Sequence, residues 1–274
     1  MTVGDDELEL VIDAAWIRGA LGVEERSTDD GRTLVIASFD HAAAAAELAD
    51  RWSGTTDEAA SDAGLDAWRE YAQPIETEHW RVVPEWLATD ADHGAASTIV
   101  ADPGRGFSAG THVSTRLALD AIHSIGTHIG LGSGMNAATV LDLGSGSGVL
   151  GIAASRSGAA SVVPVDIDPE AITATDHNVA ISRRRSENDP AWSIQPATTT
   201  VPELSFDVVL ANVLLADLET LATVIDDRLA VGGTLITTGH LIEQRPRVVA
   251  LFEQLTVTDE WELDGWSLLV LRRR

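Results

Sequence analysis

Residues 140–148 read Val-Leu-Asp-Leu-Gly-Ser-Gly-Ser-Gly, an apolar strand followed by a turn dense in glycine. A helix is expected to start directly after this turn. Glycine lets the backbone approach a ligand closely, and the first N–H groups of a helix point towards such a ligand. The stretch therefore predicts a ligand-binding strand–turn–helix unit.

Around this stretch, apolar strands alternate with helices. The alternation predicts an α/β fold with a doubly wound parallel sheet and helices on both of its faces. The last two strands are separated only by residues 263–266, so we expect them to form an antiparallel hairpin. The strands are expected at 139–143, 161–166, 193–195, 206–211, 233–238, 256–262 and 267–271, and the helices at 148–157, 169–183, 217–230 and 242–254.

The chain before this region has a different texture. Residues 1–53 predict a small α+β domain, in which a helix comes first, without a strand before it, and two short strands and a second helix follow. Residues 54–96 are polar and acidic, which is typical of a linker, and within it we expect a helix near 62–71 and an extended piece near 80–87. Residues 97–274 are expected to form the ligand-binding domain.

The glycine turn allows two ligand classes. Residues 146–151 match the dinucleotide pattern G-x-G-x-x-G. In a dinucleotide site, however, the first glycine follows the strand directly, whereas here Asp142 and Gly144 come first. The Asp142 carboxylate would repel a pyrophosphate but suits an ammonium group such as that of S-adenosylmethionine. The pattern favours a methyl-donor site, with a nicotinamide site and a purely structural turn as alternatives.

Two further polar residues follow predicted strands. Asp166 ends the second strand, where a carboxylate can accept both ribose hydroxyls of a nucleoside. Asp168 is expected to cap the next helix ahead of Pro169. Asn212 ends the fourth strand at the crevice where open sheets bind ligands, and its amide either orients an amine or caps a helix.

Residues 101–116 are rich in glycine and predict a loop with functional side chains ahead of the sheet. Within it, Ser114 is as readily a helix cap as a chemical group, and His112 is more often structural than catalytic. The histidines of the chain lack metal-ligand spacing, so we expect no metal ion.

The amino-acid composition limits the classes of molecule that the chain is expected to bind. The 274 residues include 43 acidic and 18 basic ones, every base is arginine, and the net charge is −25. Such a surface repels phosphate backbones, which excludes tight binding to naked nucleic acid, and attracts a basic protein, although solubility or salt adaptation also produces it. Zero cysteines exclude disulfides and a cysteine nucleophile. With no apolar run that would span a membrane and no basic leader, we expect a cytoplasmic monomer.

Together, these motifs resemble the ribosomal protein L11 methyltransferases over about residues 62–274. The matching segments are the Asp-Pro-Gly turn with its phenylalanine, the glycine–threonine–histidine stretch, the glycine turn, and the ends of two strands. In this sequence they lie at 102–107, 110–115, 142–148, 165–169 and 211–214.

The resemblance implies a class I methyltransferase fold and S-adenosylmethionine as the cofactor. Thr115, Gly144, Asp166 and Asn212 match cofactor-binding positions, and Phe107 with the Gly110–Thr111 loop would close over the cofactor. The expected site comprises Phe107, Thr115, Asp142, Gly144, Gly146, Asp166 and Asn212 for the cofactor, with Asn212 and Thr111 as catalytic residues and no metal.

The resemblance also implies methylation of lysine and N-terminal amines of a large-subunit ribosomal protein, which a ferredoxin-like N-terminal domain, here shortened, would recognise. The sequence departs from the family at Ser108-Ala109, at Ser145 and in an insertion over 183–192. Three alternatives stay open: a methyltransferase for another protein lysine or a small molecule, a nucleoside-binding module without activity, and a nicotinamide oxidoreductase.

Overall fold

A computed structural model of the chain divides into two compact units, Met1–Tyr71 and Ala72–Arg274. Each unit has its own strands and its own core, so the two are described separately. The structure describes the chain except for residues 19, 21, 29–31, 40–41, 57–72, 95–96, 103–111, 129–134, 136 and 184–192.

The described residues of the first unit form a three-stranded antiparallel sheet and two helices. The sheet has the order β1-β3-β2. Its elements are β1 (Thr2–Val3), α1 (Asp5–Ile17), β2 (Gly22–Ser27), β3 (Thr33–Ser38) and α2 (Ala42–Arg51).

The strand β1 lies before α1, where the sequence led us to expect no strand. Two residues are too few for an alternating pattern to be visible in the sequence. The strand forms because Val3 pairs with Thr33 of β3 and packs against Val11 of α1 and Val35 of β3. The expectation of a missing first strand is therefore wrong.

The second unit begins with another small sheet, ordered β4-β5-β6. Residues 54–96 were expected to be a linker with an extended piece near 80–87, whereas 75–94 hold folded elements of this unit, among them a strand at 81–84. The difference arises because a few buried apolar side chains are enough to form the core of so small a sheet. These side chains are Trp80, Val82 and Val83. The helix expected near 62–71 lies outside the described residues. The elements are β4 (Ile75–Glu76), β5 (Arg81–Pro84), a 3-10 helix (Glu85–Leu87), α3 (Asp90–Gly94) and β6 (Thr98–Ala101).

The main sheet has six strands in the order β11-β12-β10-β9-β7-β8. The strands from β10 to β8 are parallel, and β12 and β11 are antiparallel to their neighbours. In chain order the elements are α4 (Val113–His128), β7 (Thr139–Leu143), α5 (Val149–Arg156), β8 (Ser161–Val165), α6 (Pro169–Arg183), β9 (Phe206–Asn212), α7 (Leu215–Arg228), β10 (Leu229–Leu241), a 3-10 helix (Ile242–Gln244), α8 (Arg245–Leu251), β11 (Leu255–Leu263) and β12 (Trp266–Arg273).

This architecture confirms the predicted α/β fold with its C-terminal hairpin. Asp264 and Gly265 have φ angles of 48° and 82°, as the two-residue turn of a tight hairpin requires. The strand predicted at 193–195 is reduced to a single parallel bridge between Ile194 and Val162 of β8. The Ser193 carbonyl accepts the Val162 N–H, and the Gln195 N–H donates to the Val162 carbonyl. None of the described helices is both long and apolar enough to cross a membrane.

Apolar residues cover both faces of the main sheet. Along β7, Val140 joins the core beneath α4, α5 and α6, whereas Leu141 and Leu143 join the core beneath α7. Because side chains alternate along a strand, Asp142 lies on the same face as Val140. A carboxyl group therefore sits in the layer between β7 and α5.

The Asp142 carboxyl is 1% exposed, and its Oδ2 accepts a hydrogen bond from the Gly151 N–H of α5 at 3.0 Å. A Cβ at position 151 would lie 3.0 Å from the same oxygen, a tight contact that glycine avoids. Burial raises the pKa of Asp142 from 3.8 to about 7, and the Gly151 N–H opposes that rise in part.

We expect Asp142 to make stability depend on pH. Its pKa is higher in the folded chain than in the unfolded one, so its contribution is full below the unfolded pKa and is lost as the pH rises through about 7. Asp142→Asn retains an acceptor for Gly151 and cannot ionise. Between about pH 4 and about pH 9, the stability of the variant should rise relative to the wild type by on the order of 4 kcal/mol.

Urea denaturation of both proteins across this pH range measures the difference. If the two free energies of unfolding changed in parallel with pH, the buried carboxyl would not be the titrating group.

Candidate functional site

The turn after β7 requires its glycines. Gly144, Gly146 and Gly148 have φ angles of 69°, 53° and 78°, in the left-handed region that favours glycine. A Cβ on Gly144 would also lie 2.7 Å from the Val213 side chain. The turn is anchored to the next strand, because the N–H groups of Gly144 and Ser145 both donate to the Val165 carbonyl of β8. The predicted strand–turn–helix unit is thus present, and residues 144–148 are called the glycine loop.

Asp166 lies against the glycine loop. Its Oδ2 accepts the Gly146 N–H at 2.9 Å, and its Oδ1 accepts the Asp168 N–H at 3.0 Å. Asp168 in turn accepts the Glu170 N–H at 2.8 Å, which is the geometry of a cap on α6. The structure therefore brings Gly144, Gly146 and Asp166 together at the ends of β7 and β8.

A buried polar face of α6 supports the glycine loop from behind. The Thr175 hydroxyl donates to the Gly146 carbonyl at 3.0 Å and lies 3.1 Å from the Ser145 hydroxyl oxygen. The Asn178 amide donates to the Ser147 carbonyl at 2.8 Å. Neither side chain was predicted from the sequence as part of the site. Their spacing of three residues on a helix was the available signal, since it places them on one face.

Asn212 lies at the end of β9 and reaches across to α4. Its Nδ2 donates to the Thr115 hydroxyl at 3.2 Å, although the two residues are 97 positions apart. Gly239 of β10 lies beside the following residue, where a Cβ would overlap the Val213 carbonyl. The main chain after Asn212 is thereby held closely against β10.

The start of α4 is held by His112. Its carbonyl accepts the N–H groups of Thr115 and Arg116, and its Nδ1 lies 2.8 Å from the Ser114 hydroxyl oxygen. The imidazole also packs edge-to-face on Trp266 of β12, with ring centroids 4.4 Å apart. These contacts give His112 a structural role in positioning Thr115.

Asp142 is placed differently from the other predicted site residues. It is buried beneath the glycine loop and bonded to α5, so it presents almost no surface to a ligand. Two apolar side chains at the same end of the sheet are instead exposed, Ile167 at 90% and Leu214 at 55%. Phe107 and Thr111, and most of the stretch that contains them, lie outside the described residues.

One group of side chains among the described residues has the composition of a cation site. Ligand atoms of Glu85, Asp102 and His177 all lie within 4.8 Å of one another. His177 is exposed and Glu85 and Asp102 are partly so, and such clusters are common in proteins that bind no ion.

Several relatives are similar to this chain in sequence. A ribosomal protein L11 methyltransferase from Geobacter sp. (strain M21) is 36% identical over 209 residues, which are 75% of this chain and 65% of that relative. The enzyme of the same name from Carboxydothermus hydrogenoformans is 30% identical over 215 residues, or 76% of this chain and 65% of the relative. The chain thus spans less than two thirds of these relatives.

A solved structure shows the same likeness. The crystal structure of a ribosomal protein L11 methylase from Lactobacillus delbrueckii subsp. bulgaricus matches with a TM-score of 0.62 and 27% identity, covering 74% of this chain and 100% of that one.

The family model for ribosomal protein L11 methyltransferase (PrmA) matches residues 26–274, which is most of the chain. The resemblance that the glycine loop and the strand ends indicated is confirmed by this match and by the relatives above. The chain belongs to the ribosomal protein L11 methyltransferase (PrmA) family.

Proposed function

We propose that the chain is an S-adenosylmethionine-dependent protein N-methyltransferase that acts on a large-subunit ribosomal protein, the counterpart of L11 in its relatives. The observation that carries the proposal is the Asp166 carboxylate held against the glycine loop by the Gly146 N–H at 2.9 Å. Membership of the family supports the same conclusion.

The described residues fit a nucleoside-containing cofactor. Each oxygen of the Asp166 carboxylate accepts one backbone N–H, and each keeps a lone pair for a ribose hydroxyl. Because Gly144 has no Cβ, the Val213 side chain can pack directly against the glycine loop. Exposed Ile167 offers an apolar surface next to Asp166 for a flat ring. When bound, the cofactor supplies a methyl group on a sulfonium, which is an electrophilic carbon with a good leaving group.

Asp142 is proposed to support the same site from within the protein core. Its buried carboxyl ties the start of α5 to β7 through Gly151 and so fixes the end of the glycine loop. We therefore assign Asp142 to anchoring the loop, in place of the direct ammonium contact that the sequence suggested.

Asn212 is proposed to orient the substrate amine. Because its Nδ2 donates to Thr115, the amide plane is fixed and Oδ1 is left to accept an N–H of an incoming amine. A lysine amine has a pKa near 10.4 in water and attacks only when neutral. Transfer from water into the crevice favours the neutral form, and one accepted N–H directs the nitrogen lone pair towards the methyl group.

The substrate proposal rests on charge and on the relatives. A net charge of −25 attracts a basic protein and repels naked nucleic acid. The first unit is proposed to recognise the substrate. A ribosomal substrate would place the reaction in the cytoplasm, and the monomeric state stays a prediction. Methylation of another protein lysine or of a small molecule is the second candidate, because the same amine-orienting amide would serve either substrate.

Cofactor binding should depend on Asp166 and much less on Asp168. Asp166→Ala removes the acceptors for ribose and for Gly146, so we expect the dissociation constant for S-adenosylmethionine to rise about tenfold or more. Asp168→Ala removes only the cap on α6 and should lower stability by about 1 kcal/mol while leaving affinity unchanged.

Calorimetric titration and urea denaturation of both variants separate the two effects. Unchanged affinity in Asp166→Ala would remove this residue from the site.

Transfer of a labelled methyl group to purified large-subunit ribosomal proteins tests the activity itself. Asn212→Ala should lower kcat by about a hundredfold, because a positioning contact with the nucleophile is lost, and should change cofactor affinity little. Thr115→Val keeps the shape but frees the Asn212 amide, so kcat should fall by about tenfold.

A wild-type protein that binds the cofactor but labels no ribosomal protein would overturn the substrate proposal. Equal losses of kcat and cofactor affinity in Asn212→Ala would overturn its role in orienting the amine.

A further inference from the structure

Asn178 of α6 joins two distant segments with both of its N–H donors and its carbonyl oxygen. It is 0% exposed. Its Nδ2 donates to the Ser147 carbonyl at 2.8 Å and to the Asp102 carbonyl at 2.9 Å, while its Oδ1 accepts the Asp102 N–H at 2.7 Å. The side chain therefore binds Asp102 as a neighbouring strand would, through both main-chain groups.

The two segments have different places in the fold. Ser147 belongs to the glycine loop and is itself 0% exposed. Asp102 is the first residue after β6 and leads into residues 103–111. Asn178 thus fixes the loop that faces the proposed cofactor relative to the point at which the chain leaves the small sheet.

Two neighbouring side chains on the same face of α6 each bond to only one of the two segments. Thr175 contacts the glycine loop, through Gly146 and Ser145, and Ser182 donates to the Val100 carbonyl of β6 at 3.3 Å. A contact to the glycine loop alone, or to β6 alone, would be enough to stabilise the packing of α6. The hydrogen bonds of Asn178 span both segments.

We propose that Asn178 is a positioning residue for cofactor binding, acting by holding the glycine loop and Asp102 in one fixed arrangement. This inference rests on the proposed function, because the glycine loop is taken as the cofactor site. Without the amide, the Ser147 carbonyl and the carbonyl and N–H of Asp102 each lose one hydrogen bond, so the glycine loop is held less firmly relative to Asp102. A loop that is no longer pre-organised binds its ligand more weakly, since ordering it then opposes binding.

The test compares Asn178→Ala with Ser182→Ala in the full-length protein. Ser182 is the matched control, because it is also buried on α6 and bonded to the segment before Asp102 but does not reach the glycine loop. Calorimetric titration with S-adenosylmethionine is carried out at a temperature where both variants are folded by circular dichroism. Asn178→Ala should raise the dissociation constant at least about tenfold, and Ser182→Ala should leave it within about twofold of wild type.

A second variant adds a signature that a merely stabilising role would not give. In Asn178→Asp, an ionised carboxylate would face the carbonyl oxygens of Ser147 and Asp102 and repel them. The protonated carboxyl instead offers one O–H donor and one acceptor, which restores part of the amide's bonding. The affinity of Asn178→Asp, divided by that of wild type at the same pH, should therefore recover on going from about pH 8 to about pH 5, while the ratio for Asn178→Ala stays constant.

Each outcome decides a separate point. If the wild-type protein does not bind S-adenosylmethionine, the proposed function fails and this inference fails with it. If wild type binds and Asn178→Ala binds equally well, the inference alone is overturned. Should Asn178→Ala fail to fold, Asn178→Asp decides alone, and an affinity ratio without pH dependence would contradict the positioning role.

Discussion

The hydrogen bond from the Gly146 N–H to the Asp166 carboxylate holds together the part of the molecule on which the site depends. It joins the ends of β7 and β8, and it is possible only because three glycines adopt left-handed φ angles in the turn between β7 and α5. The surrounding contacts serve this arrangement. Asp142 fixes the start of α5, and α6 supports the loop carbonyls through Thr175 and Asn178.

The second half of the site is assembled around Asn212. Its amide is oriented by Thr115, and Thr115 is placed by the start of α4, which His112 and its contact with Trp266 hold against the C-terminal hairpin. The position of the Asn212 amide therefore depends on α4, which precedes the main sheet in sequence, and on the hairpin that ends the sheet. The hairpin thus contacts the residue at the start of α4 as well as closing the edge of the sheet.

Much of this could be read from the sequence, for physical reasons. Long apolar strands, a glycine-dense turn and an acid at a strand end are local signals, so the main sheet and the position of Asp166 were predicted. The strands β1, β4 and β6 are too short for periodicity to reveal, and of the small β4-β5-β6 sheet only the extended piece that contains β5 was predicted. Thr175 and Asn178 were missed because a polar residue on a helix looks solvent-facing until the packing of that helix is known. The burial of Asp142 was missed because its partner is a backbone N–H.

We propose that the glycine loop and Asp166 hold S-adenosylmethionine. Calorimetric titration of the wild-type chain with S-adenosylmethionine, with NAD as the comparison ligand, tests it most directly. We predict micromolar binding of S-adenosylmethionine and no measurable binding of NAD, because Asp142 and Gly144 precede the glycines that a dinucleotide needs next to the strand. Binding of NAD alone, or of neither ligand, would contradict the account.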